Sequence, residues 1–155
     1  LLELTMNNLN FSIHSGRVAA SDPCYDDPHV FPAKTGAWTA SLQLNSEGRI
    51  AELFAYAEGS EFHDLKPIDL DFGVDSGQFG LFDDEIYISG TDFGEPGFYN
   101  DCCQLTIEHP YYGVVDCKGI VTSSGWGDGC YNAFGSFIDG VLHSFKIVFI
   151  EEGDL

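Results

Sequence analysis

Three short segments of this 155-residue chain hold residue types that can do chemistry. The first is Ser21-Asp22-Pro23-Cys24-Tyr25-Asp26-Asp27, with three carboxylates and a thiol in close succession. An Asp at a strand end can ligate a metal, or accept backbone N–H bonds in an Asx turn. Asp-Pro after a strand is also ordinary turn chemistry. The second segment is Val74-Asp75-Ser76-Gly77-Gln78, at the end of an alternating run. The third is Ser123-Ser124-Gly125-Trp126-Gly127-Asp128-Gly129-Cys130-Tyr131. Its three glycines admit backbone angles closed to other residues. They present Asp128 from a tight turn that serves a cation, a ligand, or the turn alone. The candidate ligand-binding residues are therefore Asp22, Asp75, Ser76, Trp126, Asp128 and Tyr131. Asp22, Asp75 and Asp128 are the candidate ligands of a divalent cation, and no other cofactor is called for.

Catalytic signatures are missing. The glycines of the third segment are not a dinucleotide fingerprint, because no strand-to-helix crossover follows, and no Lys-Ser/Thr makes a phosphate loop. Cys24 or Cys130 with His14, His29, His63, His109 or His143 is a conceivable nucleophile–base pair. No family signature surrounds either thiol, and no His-x-x-x-His spacing occurs. Asp-Phe-Gly occurs at 71–73 and 92–94, without the Gly-rich and catalytic loops a kinase needs. No catalytic residue is assigned, and an Asp- or Cys-centred hydrolase stands as the third reading.

Charge is the strongest global signal. Twenty-five acidic residues against six basic ones give a net charge of −19. The bases are scattered singly, so no basic stripe can neutralise phosphates, and nucleic-acid binding is not expected. An anionic membrane face would repel the chain as well. A basic protein partner would be attracted. Eleven carboxylates between Glu61 and Asp101 face Lys66 alone. Within that stretch Asp83, Asp84, Glu85, Tyr87, Asp92 and Glu95 are the candidate partner-binding residues, with aromatics such as Phe79, Phe82, Phe93, Phe98 and Tyr99 interleaved. The opposing reading makes those aromatics core and the carboxylates a solvated shell.

The five cysteines are odd in number, include the adjacent Cys102 and Cys103, and form no Cys-x-x-Cys pair. They read as reduced thiols of a cytoplasmic protein. The start of the chain shows no signal-peptide pattern, and no apolar run has bilayer-spanning length.

These segments need a β framework. The chain has 18 Gly, 6 Pro, 44% hydrophobic and 14% aromatic residues, which suits one turn-rich domain with a real core. Strands are expected over 17–20, 37–44, 49–57, 68–74, 79–82, 86–89, 114–122, 130–137 and 141–150, with 24–34 as an ordered loop. Alternation puts Trp38, Ala40, Leu42 and Leu44 on one face, and Ile68, Leu70, Phe72 and Val74 on another. Asn45-Ser46-Glu47-Gly48 and Asp139-Gly140 read as hairpin turns. A short helix fits 97–106, where Phe98, Cys102 and Leu105 share helical spacing. The expected class is all-β with at most one or two short helices, a mostly antiparallel sandwich or partly open barrel. Trp38, Phe54, Phe72, Val121, Phe145, Ile147 and Phe149 are the expected core. No repeat is legible.

Ser21-Asp22-Pro23 after Gly16-Arg17-Val18, then Gly36-Ala37-Trp38, Arg49-Ile50-Ala51, Val74–Gln78 and Ser124–Tyr131, in this order, resemble the bacterial family called domain of unknown function 4241. The resemblance covers about residues 16–150. Cys130 departs from the Ser expected there. It implies an intracellular β protein of a bacterium or a bacterial virus. It also implies that Asp22, Asp75 and Asp128 with their glycines form one shared site or one shared structural corner. It brings no activity, substrate or catalytic residue. The reading preferred from sequence is an acidic interaction protein that neutralises a basic partner, as immunity proteins do, because only that reading uses the charge. The alternative is a small-ligand or cation-binding β module.

Overall fold

The computed structural model describes residues 4–88 and 96–151. Two antiparallel sheets face each other without closing into a barrel. The larger has the order β1 (Leu4–Ile13), β4 (Gly36–Leu44), β5 (Ile50–Ala57), β12 (Val141–Val148), β11 (Gly129–Ile138) and β6 (Lys66–Pro67). The short β7 (Phe72–Val74) pairs with the start of β11. The smaller sheet runs β3 (His29–Pro32), β2 (Arg17–Ser21), β8 (Gln78–Asp83), β10 (Gly119–Ser123) and β9 (Tyr112–Val114). One parallel bridge, Ala33 to Leu142, ties the segment after β3 to β12. The helix α1 (Phe98–Ile107) lies on β9 and β10.

The alternation of β-strand side chains builds two cores from one sheet. Phe79, Leu81 and Ile120 point between the sheets and join Trp38, Leu42, Leu53, Phe72, Phe145 and Ile147. Phe79 and Phe145 stack with ring planes 4° apart, and Phe72 meets both edge-on. Phe82 and Val121 point the other way, under α1, with Phe98, Cys102 and Val115. All six residues of β8 are buried because both faces of the strand are covered.

Several expected elements change. The run 68–74 is strand only at Phe72–Val74, and its expected inward residue Leu70 is 44% exposed. Alternation is a local signal, and here the chain leaves the sheet after β6 before rejoining it at β7. Residues 86–88 are not a strand; a single 3-10 turn spans Asp84–Ile86, capped by Asp83. The run 114–122 is broken by a hairpin, since Asp116 and Cys117 both take positive φ, at 50° and 57°. The 24–34 segment contains the edge strand β3. In β5 the inward residues are Ala51, Leu53, Ala55 and Ala57, so Phe54 lies on the outer face against Tyr56. The other six expected core residues are buried. All five cysteines are free thiols. Among the described residues no helix is long and apolar enough to cross a membrane.

Candidate functional site

Asp22 directly follows β2, and its carboxylate is fully buried. Four donors surround it. Oδ1 accepts from Cys24 N–H at 2.8 Å and from Ser76 Oγ–H at 2.6 Å, while Oδ2 accepts from Asp75 N–H at 2.8 Å and Ser76 N–H at 2.7 Å. Charge-assisted bonds of this kind compensate the cost of desolvating an ionised group. Asp22 therefore locks the turn before β8 onto the end of β2. Around it, Tyr25 donates to Asp75 Oδ2 at 2.7 Å, and the Tyr87 hydroxyl donates to the carbonyls of Asp22 and Tyr25.

Asp83 repeats the arrangement at the opposite end of the same strand pair. It ends β8, is fully buried, and accepts from Glu85 N–H, His14 N–H, Ser15 N–H and Ser15 Oγ–H. The correspondence is complete: each carboxylate takes the N–H two residues ahead, two successive N–H groups of the other strand's leading turn, and that turn's Ser hydroxyl. Since β2 and β8 are antiparallel neighbours, the two clamps are related by a local two-fold pseudo-symmetry. The sequence carries it as Ser-Gly, five residues, Asp, from Ser15-Gly16 to Asp22 and again from Ser76-Gly77 to Asp83. Both glycines take positive φ, 79° and 70°. The repeat is faint in the sequence because only the frame is shared and the five residues between differ.

The clamp takes Asp83 out of the expected partner face. Asp83 cannot present its charge to a partner, because it is buried and its oxygens are occupied. Asp84 pairs with Arg17 at 3.5 Å, and Glu85 with Lys118 and His14. Tyr87 is half-buried and packs against Phe82 and Phe98. Phe79, Phe82 and Phe98 are core. Asp92, Phe93 and Glu95 lie outside the described residues.

The three sequence segments do meet. Ser124 N–H donates to Gly77 O at 3.1 Å, Gly129 pairs with Val74, and Asp128 Oδ1 stands 4.0 Å from where a Cβ on Gly77 would sit. Yet among the described residues no group of three or more His, Cys, Asp or Glu side chains is placed to hold a metal ion. Asp22 is spent on its four donors, Asp75 is exposed and bound by Tyr25, and Asp128 is exposed. Tyr131 closes the turn, donating to the carbonyls of Gly127 and Ser124. Burial, then the nearby Asp128 charge, pushes the Tyr131 hydroxyl pKa up. Cys24 is no activated nucleophile. Burial and then the Asp22 carboxylate raise its thiol to about 12, so it stays protonated at neutral pH.

A cleft of about 480 Å³ is lined by Glu47, Gly48, Arg49, Ile50, Tyr111, Ser123 and Gly125. Its wall is built from the β4–β5 turn, where Asn45 Oδ1 accepts from Glu47 and Arg49 N–H. The Arg49 guanidinium reaches across, donating to Gly125 O at 3.1 Å and lying 4.7 Å from the Trp126 ring centroid. Gly125 has φ +63°, and a Cβ there would meet Ile150, Ile50 and Phe149 at 2.9–3.0 Å. Glycine thus lets the turn press onto the ends of β5 and β12. Trp126 is 53% exposed and Tyr111 41%. Tyr111 has φ 75°, a conformation that costs a residue with a Cβ about 1–3 kcal/mol. Of these residues the sequence marks Trp126 as a candidate ligand contact, sets Ser123 and Gly125 in the third segment, and quotes Arg49 and Ile50 only in the family-like Arg49-Ile50-Ala51. Arg49 looked like the first residue of a strand, and Tyr111 gave no signal.

No family model, no curated protein and no solved structure matches the chain.

Proposed function

We propose that this protein is a small-ligand-binding β-sandwich module whose binding site is the cleft between the β4–β5 turn and the Ser124–Tyr131 turn. The observation that carries the reading is the cleft itself, at about 480 Å³ within the size range of small-molecule sites and lined by the exposed Tyr111 ring and by Arg49, which Trp126 backs. The Ser124–Tyr131 turn, which carries Gly-Asp-Gly-x-Tyr, forms one wall's support. The Asp22 and Asp83 clamps hold that support in place and leave the ligand to other residues. Five free thiols suit a reducing, cytoplasmic setting. The acidic, partner-neutralising reading keeps the net charge of −19 and the exposed Asp64, Asp69, Asp71 and Asp101 in its favour, but Asp83 is buried and Asp84 and Glu85 are locally paired.

The test is a fragment screen read by amide and indole chemical shifts on the labelled protein. Binders should perturb Glu47–Ile50, Tyr111 and Ser123–Trp126, and Trp126→Ala should weaken them about tenfold. A screen whose binders all map elsewhere, or that yields none, defeats the reading.

A further inference from the structure

Resting on the cleft reading, we infer that the ligand is a small, singly charged aromatic carboxylate, held by Arg49 and stacked on Tyr111.

The argument begins with where the positive charge goes. In a chain of net charge −19 with six bases, a guanidinium should find a carboxylate. Arg17, Lys118 and Lys146 do, with Asp84, Glu85 and Glu52. Among the described residues no ion pair within 4 Å includes Arg49, Lys34 or Lys66, and of these three Arg49 alone lines this cleft. Its fixed partners are neutral, the Gly125 carbonyl and the Trp126 face. These orient the guanidinium without cancelling its charge and leave other N–H groups of its five-donor fork. A carboxylate matches that fork with two parallel bonds, and a pre-oriented Arg loses little entropy in making them.

The rest of the site sets the remaining chemistry. Tyr111 offers an exposed aromatic surface on the cleft lining, and rings stack on such surfaces, while Trp126 backs the Arg49 guanidinium. Glu47, on the same lining, and the net negative field penalise each additional negative charge. Nucleotide di- and triphosphates are therefore disfavoured against a monoanion. A cationic ligand would face the Arg49 charge at close range.

Three molecules that share one ring separate the terms: 4-hydroxyphenylacetate, its neutral amide, and tyramine. Each is titrated into the labelled protein, following the Trp126 indole N–H and the Arg49 Nε–H. The carboxylate should bind with a dissociation constant of about 1 mM or tighter and about tenfold more tightly than the amide, with tyramine weakest. Raising salt should weaken the carboxylate alone. Arg49→Gln should erase the difference between carboxylate and amide, and Arg49→Lys should restore part of it. Urea midpoints of both variants check that the fold is intact. Equal binding of the three molecules, or a carboxylate preference that survives Arg49→Gln, overturns the inference. So does silence from all three while other fragments fill the cleft, which leaves the cleft reading standing. An empty cleft throughout the fragment screen removes both.

Discussion

At the scale of single residues, the most consequential side chains are two carboxylates that never reach solvent. Asp22 and Asp83 each answer four donors. Replacing either by Asn leaves donors facing an amide nitrogen, and we expect each variant to lose about 2–4 kcal/mol in urea unfolding at pH 7. A loss within 0.5 kcal/mol or so for either would mean that its clamp is slack. Asp83 carries a pH dependence as well. Burial alone would raise its pKa, but the bonds from Ser15, Glu85 and His14 outweigh burial and lower it. A carboxyl with a depressed folded pKa stabilises the protein above its unfolded value near about 4, and that contribution fades as pH falls through the folded pKa. The stability gap between wild type and Asp83→Asn should therefore narrow below about pH 4. A gap that stays constant down to acid unfolding contradicts the assignment. Thiol reactivity gives a separate check. Cys117 and Cys130 are exposed, whereas Cys102 and Cys103 are buried and Cys24 is held protonated. Iodoacetamide at neutral pH should modify the first two quickly and the other three slowly, as read by peptide mass spectrometry.

At the scale of elements, the Ser124–Tyr131 turn depends on one close approach. Gly125→Ala combines positive φ with three contacts near 3.0 Å, so we expect about 2–4 kcal/mol of destabilisation and a displaced Trp126 indole signal. Gly127 has φ +107° but nothing within 4 Å of a built Cβ, so Gly127→Ala should cost only the backbone strain, about 1–2 kcal/mol. Equal losses in the two variants would show that packing against Ile50, Phe149 and Ile150 does not hold the turn. Tyr111→Gly acts oppositely. It relieves the strain at φ 75° while removing a ring from the cleft, so ligand affinity should fall without a matching fall in thermal midpoint.

At the scale of the whole molecule, a net charge of −19 opposes compaction. The described ion pairs are few, and those with Asp84, Glu85 and Glu52 are partly exposed. Screening should therefore relieve more repulsion than it removes attraction. The thermal midpoint should rise by a few degrees between about 10 mM and 300 mM NaCl, a range over which the screening length falls from roughly 30 Å to well under 10 Å. A midpoint that drops would assign more stability to the surface pairs than to the shared charge.

The sequence by itself determined whatever depends on near neighbours. Alternation marked β4, Asp139-Gly140 marked the last hairpin, and helical spacing marked α1, because each signal lies within a few residues. It also brought Asp22, Asp75 and Asp128 to notice as one group, through motifs at fixed places along the chain. Only the tertiary structure decided which carboxylates are internal. Asp83 and Asp84 are neighbours of the same type, yet one is buried and the other meets Arg17 at the surface. The donors that make the difference come from His14 and Ser15, 69 and 68 residues away, as Asp22 draws on Asp75 and Ser76 across 53 and 54. The cleft is decided in the same way, since Arg49 and Gly125 lie 76 residues apart and touch only because β5 and the turn after β10 are packed at one end of the sandwich. A hydrogen bond acts over about 3 Å, so its partners are set by where the sheets bring the chain together, and sequence distance does not register it.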